Sequence, residues 1–162
     1  MTSGISIVIR TTSPEETHTT GAAIGRSLRG AVVLSLEGPL GSGKTVLTAG
    51  ICEGLGVEDP VTSPTFTLQN QYANPSGRRV LHMDCFRLES AAEFDSLAAE
   101  DLMEEDTVQI VEWGDRVGGA LGFDVIRVSI EPGEGDERRI AIHVPPGIEL
   151  AMPASSPSSE AE

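Results

Sequence analysis

One lysine occurs in this chain of 162 residues, and it closes a glycine-rich run, Gly38-Pro39-Leu40-Gly41-Ser42-Gly43-Lys44-Thr45. The spacing is GxxxxGK[ST], an arrangement that cradles phosphate. Each residue type has its reason. The glycines let the backbone curl until successive amide N–H groups point inward, and a helix beginning near Lys44 adds its positive end. A compact ammonium fits between β- and γ-phosphate oxygens, where the wide fork of an arginine does not. The Thr45 hydroxyl suits Mg²⁺. The other basic residues are all arginines, so lysine persists where a guanidinium is least able to replace it. The expected chemistry is binding of a nucleotide phosphate by Gly41, Ser42, Gly43, Lys44 and Thr45.

Phosphoryl chemistry also needs an acid beside Mg²⁺, at the end of a strand next to the loop. Two runs qualify: Val108-Gln109-Ile110-Val111-Glu112 and Val80-Leu81-His82-Met83-Asp84. Ligands of open α/β sheets gather at the carboxyl ends of strands, so both acids can face the phosphates. Glu112 is expected to bind Mg²⁺ directly or through water, and Asp84 to orient the attacking water or the metal's hydration shell. Ser63-Pro64-Thr65 reads either as a turn before a strand or as a hydroxyl-bearing switch that senses the γ-phosphate.

These residues need a scaffold that alternates strands and helices. An apolar run from Ala31 to Leu36 precedes the loop, and Leu47, Ile51 and Leu55 follow at helical spacing. Upstream lies a strand at Ile5 to Arg10, then a helix capped by Ser13, with Pro14 first and Glu16 three residues on. Gly54 or Gly56 is placed to end the phosphate-loop helix. Phe66, Leu68, Asn70 and Tyr72 alternate into a hairpin that turns within Ala73 to Gly77 and returns over Arg79 to Met83. A second capping box, Ser90 with Glu93, opens a helix presenting Phe94, Leu97, Ala98 and Leu102. Strands follow at Thr107 to Val111, Val125 to Ile130 and Arg139 to Val144. The pattern predicts an α/β fold, a P-loop NTPase-like three-layer domain around a central mixed β-sheet.

The domain is expected over residues 1–144, with 145–162 a disordered acidic tail rich in proline and serine. The formal charge is −14, and without the tail's three glutamates it is still −11. Such acidity opposes nonspecific binding to nucleic acid, which needs clustered Lys and Arg; Arg78-Arg79 is the small basic pair of the central region. No segment approaches the ~20 apolar residues that span a bilayer, and the N-terminus does not resemble a signal peptide, so a cytoplasmic location without membrane contact is expected. Cys52 and Cys85 are isolated and read as core thiols. His18, His82 and His143 lack zinc-ligand spacing.

Four motifs in order carry a family resemblance: Gly-x-Leu-Gly-Ser-Gly-Lys-Thr, Ser-Pro-Thr-Phe-Thr-Leu, His-x-Asp-x-Phe-Arg from His82, and Val-Glu-Trp-Gly-Asp from Val111. Over about Ser13 to Val144 the chain resembles the TsaE family, small bacterial ATPases of tRNA threonylcarbamoyladenosine biosynthesis. The resemblance implies slow hydrolysis of ATP with Mg²⁺ and docking on a complex of TsaD and TsaB. That complex transfers a threonylcarbamoyl group to the adenosine next to the tRNA anticodon, so tRNA is met only indirectly. It implies that Lys44 and Thr45 hold phosphate and Mg²⁺, that Glu112 is the second metal ligand and that Asp84 is a catalytic or switch carboxylate. Ser63 and Thr65 fall in the family's mobile loop, and Thr12 and Ser13 near the nucleotide base. Val46 stands where many members have a second threonine, and its backbone amide still donates to phosphate. Phe86 replaces a common tyrosine.

Two other readings remain open. A small-molecule kinase would use the same loop, although few arginines after the central sheet leave little for a lid. A nucleotide-gated binding module would need no turnover. A GTPase is disfavoured because the sequence contains no NKxD.

Overall fold

The computed structural model describes residues 4–62, 69–72, 78–86, 88, 92, 106–114, 124–150, 152 and 159–161. In chain order the elements are β1 (Ile5–Thr11), α1 (Pro14–Ser27), β2 (Val32–Glu37), α2 (Lys44–Gly54), β3 (Gln69–Tyr72), β4 (Arg79–Asp84), β5 (Thr107–Glu112), β6 (Val125–Pro132), β7 (Arg138–Val144) and β8 (Ser159–Ala161). The strands form one mixed sheet in the order β3-β4-β5-β2-β6-β7-β1-β8. Its centre, β4-β5-β2-β6, is parallel, and β3, β7, β1 and β8 add antiparallel neighbours. The parallel strands β4, β5 and β2 therefore end together at Asp84, Glu112 and Glu37.

Alternation along the strands divides the apolar side chains between the two sheet faces. Leu34 and Leu36 of β2, with Val108 and Ile110 of β5, join Ile24 and Leu28 of α1 and Leu47 and Ile51 of α2 in the main core. Val111 and Met83 point the other way, into a smaller cluster with Cys85 and Leu88, against which Val33 and Trp113 pack. The helix expected from Ser90 to cover that face, with Phe94, Leu97, Ala98 and Leu102, lies outside the described residues apart from Ala92. The switch segment Ser63-Pro64-Thr65-Phe66, the hairpin turn and Arg87 lie outside them as well.

The local signals act as their chemistry requires. Ser13 caps α1, its hydroxyl accepting from the Glu16 N–H at 3.1 Å, with Pro14 in the first turn. The Glu16 carboxylate reaches one residue further back than a capping box expects, accepting from the N–H and hydroxyl of Thr12. Of the two candidate stop glycines of α2, Gly54 is its last residue and Gly56 makes the closure. Gly56 adopts a left-handed conformation (φ 93°), and the N–H groups of Gly56 and Val57 bond back to Glu53 and Cys52 in a Schellman closure.

Gly54 has a second duty, which it shares with Gly21, Gly25 and Gly50. Residues four apart lie on one helix face, and these two pairs let the backbones of α1 and α2 touch. A Cβ on Gly21 would overlap the Leu47 carbonyl oxygen, and one on Gly25 that of Ile51. On Gly50 and Gly54 a Cβ would meet those of His18 and Ala22. The helix that starts at the lysine is thus clamped along its length to its neighbour.

After Val144 the described residues are 145–150, 152 and 159–161. Ile148, Leu150 and Met152 pack on the main core, Leu150 bridges to Leu28, and β8 pairs antiparallel with β1. The signal was a short alternation of apolar residues at 148, 150 and 152, outweighed in the sequence by proline and serine. Cys52 and Cys85 are buried free thiols, as expected. Burial pushes both up to about 12, and the Asp84 charge adds to the shift at Cys85.

The helix contact yields a prediction of decisive sign. On an isolated helix, alanine is favoured over glycine by about 1 kcal/mol. Gly50→Ala is nevertheless expected to destabilise the protein by about 1–3 kcal/mol, because the methyl must push α1 away. Thermal unfolding would show it, and an unchanged or raised midpoint would contradict the close approach.

Candidate functional site

The glycine run forms a tight loop between the end of β2 and the start of α2. The Ser42 N–H donates to Pro39 O at 3.1 Å, and Gly43, the residue before the helix, is left-handed at φ 104°. No side chain caps α2 and no acid occupies its first turn, so its positive end faces the loop without a built-in counter-charge. A Cβ on Gly38 would overlap the Ile130 carbonyl oxygen of β6, so the loop can leave β2 this way only as glycine.

Lys44 is buried and bends back into the loop. Its Nζ donates to Gly38 O at 2.6 Å and Pro39 O at 2.9 Å and lies 4.2 Å from the Trp113 ring centre. The ammonium thus touches two carbonyl dipoles and an aromatic face, neutral groups that a phosphate oxygen would outcompete. The Ser42 hydroxyl is buried and has no hydrogen-bond partner among the described residues.

The sheet brings the two carboxylates together. Glu112 pairs in register with Leu36 of β2 on one side and with Asp84 of β4 on the other. Both acids line a cleft of about 480 Å³ together with Gly43, Lys44, Thr45 and Val46. Glu112 is 3% exposed, and its Oε2 lies 2.6 Å from Nε2 of the fully buried His82. Asp84 Oδ1 accepts from the Phe86 N–H at 2.9 Å, which fixes its direction. Thr45 is exposed at the cleft.

Trp113 follows Glu112 in a left-handed conformation, φ 61°, which costs a non-glycine residue about 1–3 kcal/mol. Its N–H donates to Leu36 O at 3.1 Å, so the turn is pinned to the strand that feeds the loop. The indole lies between the Lys44 ammonium and the ring of Phe86, 5.1 Å centre to centre.

Arg138 is the residue that sequence reasoning missed. At the start of β7, its guanidinium donates from Nε to Ser42 O at 2.7 Å and from Nη2 to Gly41 O at 3.4 Å, while Nη1 holds Gly135 O and Glu137 O. Drawing those loop carbonyls outward turns the peptide N–H groups of Ser42 and Gly43 the other way, since the two groups of one peptide plane are antiparallel. Arg138 also lines a small hollow with Pro14, Thr17, Gly43 and Val46, and a 340 Å³ cavity with Thr11 and Thr12. The hollows thus run from the glycine loop toward Thr12, while Ser13 is engaged as the helix cap.

The arrangement gathers Gly41, Ser42, Gly43, Lys44, Thr45, Val46, Asp84 and Glu112 in one place. No cluster of three or more His, Cys, Asp or Glu suited to a metal occurs among the described residues. A parallel sheet, a glycine loop leading from strand to helix and two carboxylates at neighbouring strand ends define a P-loop-like α/β protein.

Within that class the chain belongs to the TsaE family. The family model described as threonylcarbamoyl adenosine biosynthesis protein TsaE matches residues 11–140. Similar proteins include the tRNA threonylcarbamoyladenosine biosynthesis protein TsaE of Treponema pallidum, 35% identical over 80% of this chain and 95% of that one. The protein of that name from Mycobacterium tuberculosis is 37% identical over 78% and 80% of the two chains. The crystal structure of Bacillus subtilis YdiB superposes with a TM-score of 0.73 at 29% identity, covering 89% of this chain and 88% of that one. The α/β fold and the place in tRNA threonylcarbamoyladenosine biosynthesis follow from these matches.

Arg138 supplies the prediction here. Arg138→Ala is expected to cost about 1–2 kcal/mol, from bonds whose carbonyl partners water can reach, and to speed amide exchange selectively at Ser42, Gly43 and Lys44. Hydrogen exchange followed by NMR checks it; exchange raised evenly across the protein, or not at all, would deny the clamp.

Proposed function

We propose that the chain binds MgATP in the cleft and hydrolyses it in support of a TsaD–TsaB complex that modifies tRNA. The observation that carries this reading is the position of Lys44. It is the one lysine of the chain, folded into a glycine loop at the carboxyl end of a parallel sheet and facing Asp84 and Glu112 across one cleft.

The residues fit the ligand. A phosphate oxygen is a stronger partner for Lys44 than the carbonyls of Gly38 and Pro39. The loop amides from Gly43 to Val46, and the Ser42 hydroxyl, which has no partner among the described residues, add donors to the same anion. An all-protein cation cage is absent among the described residues, which agrees with Mg²⁺, an ion usually held by one or two carboxylates plus substrate phosphates. Thr45 and Glu112 are the side chains that would hold it.

Held by Thr45 and Glu112, Mg²⁺ would supply neutralisation of the charge that develops on the phosphates. Lys44 turns from its carbonyl partners toward the β- and γ-phosphate oxygens. Asp84, its direction fixed by the Phe86 N–H, orients a water in line with the γ-phosphorus. Trp113 loses the ammonium from its face, and Val46 donates its amide on the side where the hollows lead to Thr12, the region assigned to the base. No helix among the described residues is long and apolar enough to cross a membrane, and the cytoplasm, where tRNA is modified, is the proposed place of work.

Hydrolysis by the purified protein is expected to be slow, to rise on addition of TsaD and TsaB, and to be lost in Glu112→Gln. Lys44→Ala is expected to keep its fold by circular dichroism and to lose about 10²–10³-fold in turnover, the scale of a removed charge-stabilising donor. Transfer to an added acceptor in place of water would favour a kinase. Tight binding without turnover, partners included, would favour a nucleotide-gated module.

A further inference from the structure

We infer that His82 is a positioning residue for Glu112: its Nε2–H holds one carboxylate oxygen so that the other is presented to the cation in the cleft. The inference rests on the reading of Glu112 as a Mg²⁺ ligand and assigns a device that makes it one.

β4 and β5 are parallel neighbours, with His82 opposite Ile110 and Asp84 opposite Glu112. His82, Asp84 and Glu112 consequently share one side of the pleat. The imidazole is fully buried, and its contact with Glu112 Oε2, at 2.6 Å, is as short as charge-assisted hydrogen bonds become. Its other nitrogen, Nδ1, is buried and has no hydrogen-bond partner among the described residues. A ring kept only to fill the core would be replaced at lower cost by Leu or Met, because an unsatisfied buried polar atom costs about 1–3 kcal/mol. The single bond from Nε2 is what the histidine provides. In this role Nε2 is the donor and a Glu112 carboxylate oxygen the acceptor.

The consequence is geometric. Glu112 has three rotatable side-chain bonds and shares its cleft with the oppositely charged Lys44. A carboxylate free to swing would pair with that ammonium and withdraw both groups from the ligand. With Oε2 fixed, one oxygen remains for an ion that demands near-ideal octahedral placement. Outer partners of metal ligands typically govern 10–100-fold in metal affinity.

Three variants separate this role from packing. His82→Gln keeps an N–H near the position of Nε2, His82→Leu fills the space without a donor, and His82→Asn has a donor too short to reach. Binding of a non-hydrolysable ATP analogue is measured by calorimetry, in EDTA and across a Mg²⁺ titration, with folding checked by thermal unfolding. The expected result is a rise of roughly 10–100-fold in half-saturating Mg²⁺ for Leu and Asn, unchanged affinity in EDTA, and recovery in Gln. Should Leu not fold, Asn against Gln carries the comparison. Equal Mg²⁺ dependence in all variants, or the same loss with and without Mg²⁺, overturns the positioning role alone. A wild-type protein whose binding ignores Mg²⁺, or a Glu112→Gln variant with undiminished Mg²⁺ dependence, overturns the metal-ligand reading and this inference with it.

Discussion

The parallel pairing of β5 between β2 and β4 is the constraint on which the site depends. It sets Glu112 level with Leu36 on one side and Asp84 on the other. Slipping that register by one residue would turn Glu112 to the opposite face and bring Val111 to its place. The turn that follows is held to the same register, because Trp113 donates to Leu36 O and Cys85 to Glu112 O. The strain of a left-handed tryptophan is tolerated because these bonds on both sides determine it. Every residue at the ends of β2, β4 and β5 is thereby placed relative to the loop without any contact to a ligand.

The loop is constrained from three directions. Below it, Gly38 touches the backbone of β6; beside it, Arg138 grips two of its carbonyls; beyond it, α2 is clamped to α1 through four glycines. Rigid surroundings and a curled backbone are what preorganisation requires, since amides already aimed at an anion need not reorganise when it arrives. Lys44, in contrast, contacts groups it can leave, among them two carbonyls and an indole face. The scaffold is fixed and the reaching side chain is exchangeable, a division suited to a site that must bind and release.

Much of this was legible in the sequence because it is local. The glycine spacing, the Ser13 cap, the closure at Gly56 and the apolar runs ending in Asp84 and Glu112 each occupy a few consecutive residues whose conformation follows from their type. What was not legible joins distant positions. Arg138 meets Ser42 across 96 residues, and His82 meets Glu112 across 30; neither leaves a periodic trace, and the histidine looked merely scattered. Gly50 and Gly54 were visible, yet a glycine near a helix end signals termination as readily as close packing, and Gly54 does the second. After Val144, composition argued against order, while three alternating apolar residues found the core.

The charge of the chain also acquires a structural account. A formal −14 leaves few cations for RNA, and several of the described arginines are engaged within the fold. Arg138 serves the glycine loop and the turn before β7. Arg78 donates to Gly30 O, Arg79 to Gln71, and Arg127 pairs with Glu37. The small basic pair Arg78-Arg79 thus has donors directed at the protein itself. Tight nonspecific binding of a polyanion needs clustered positive charge able to displace counterions; Arg78, Arg79, Arg127 and Arg138 direct theirs at backbone carbonyls and side chains of the chain. Under the proposed function, recognition of RNA would fall to other proteins, and the one lysine of the chain stands instead in the cleft it lines with Asp84 and Glu112.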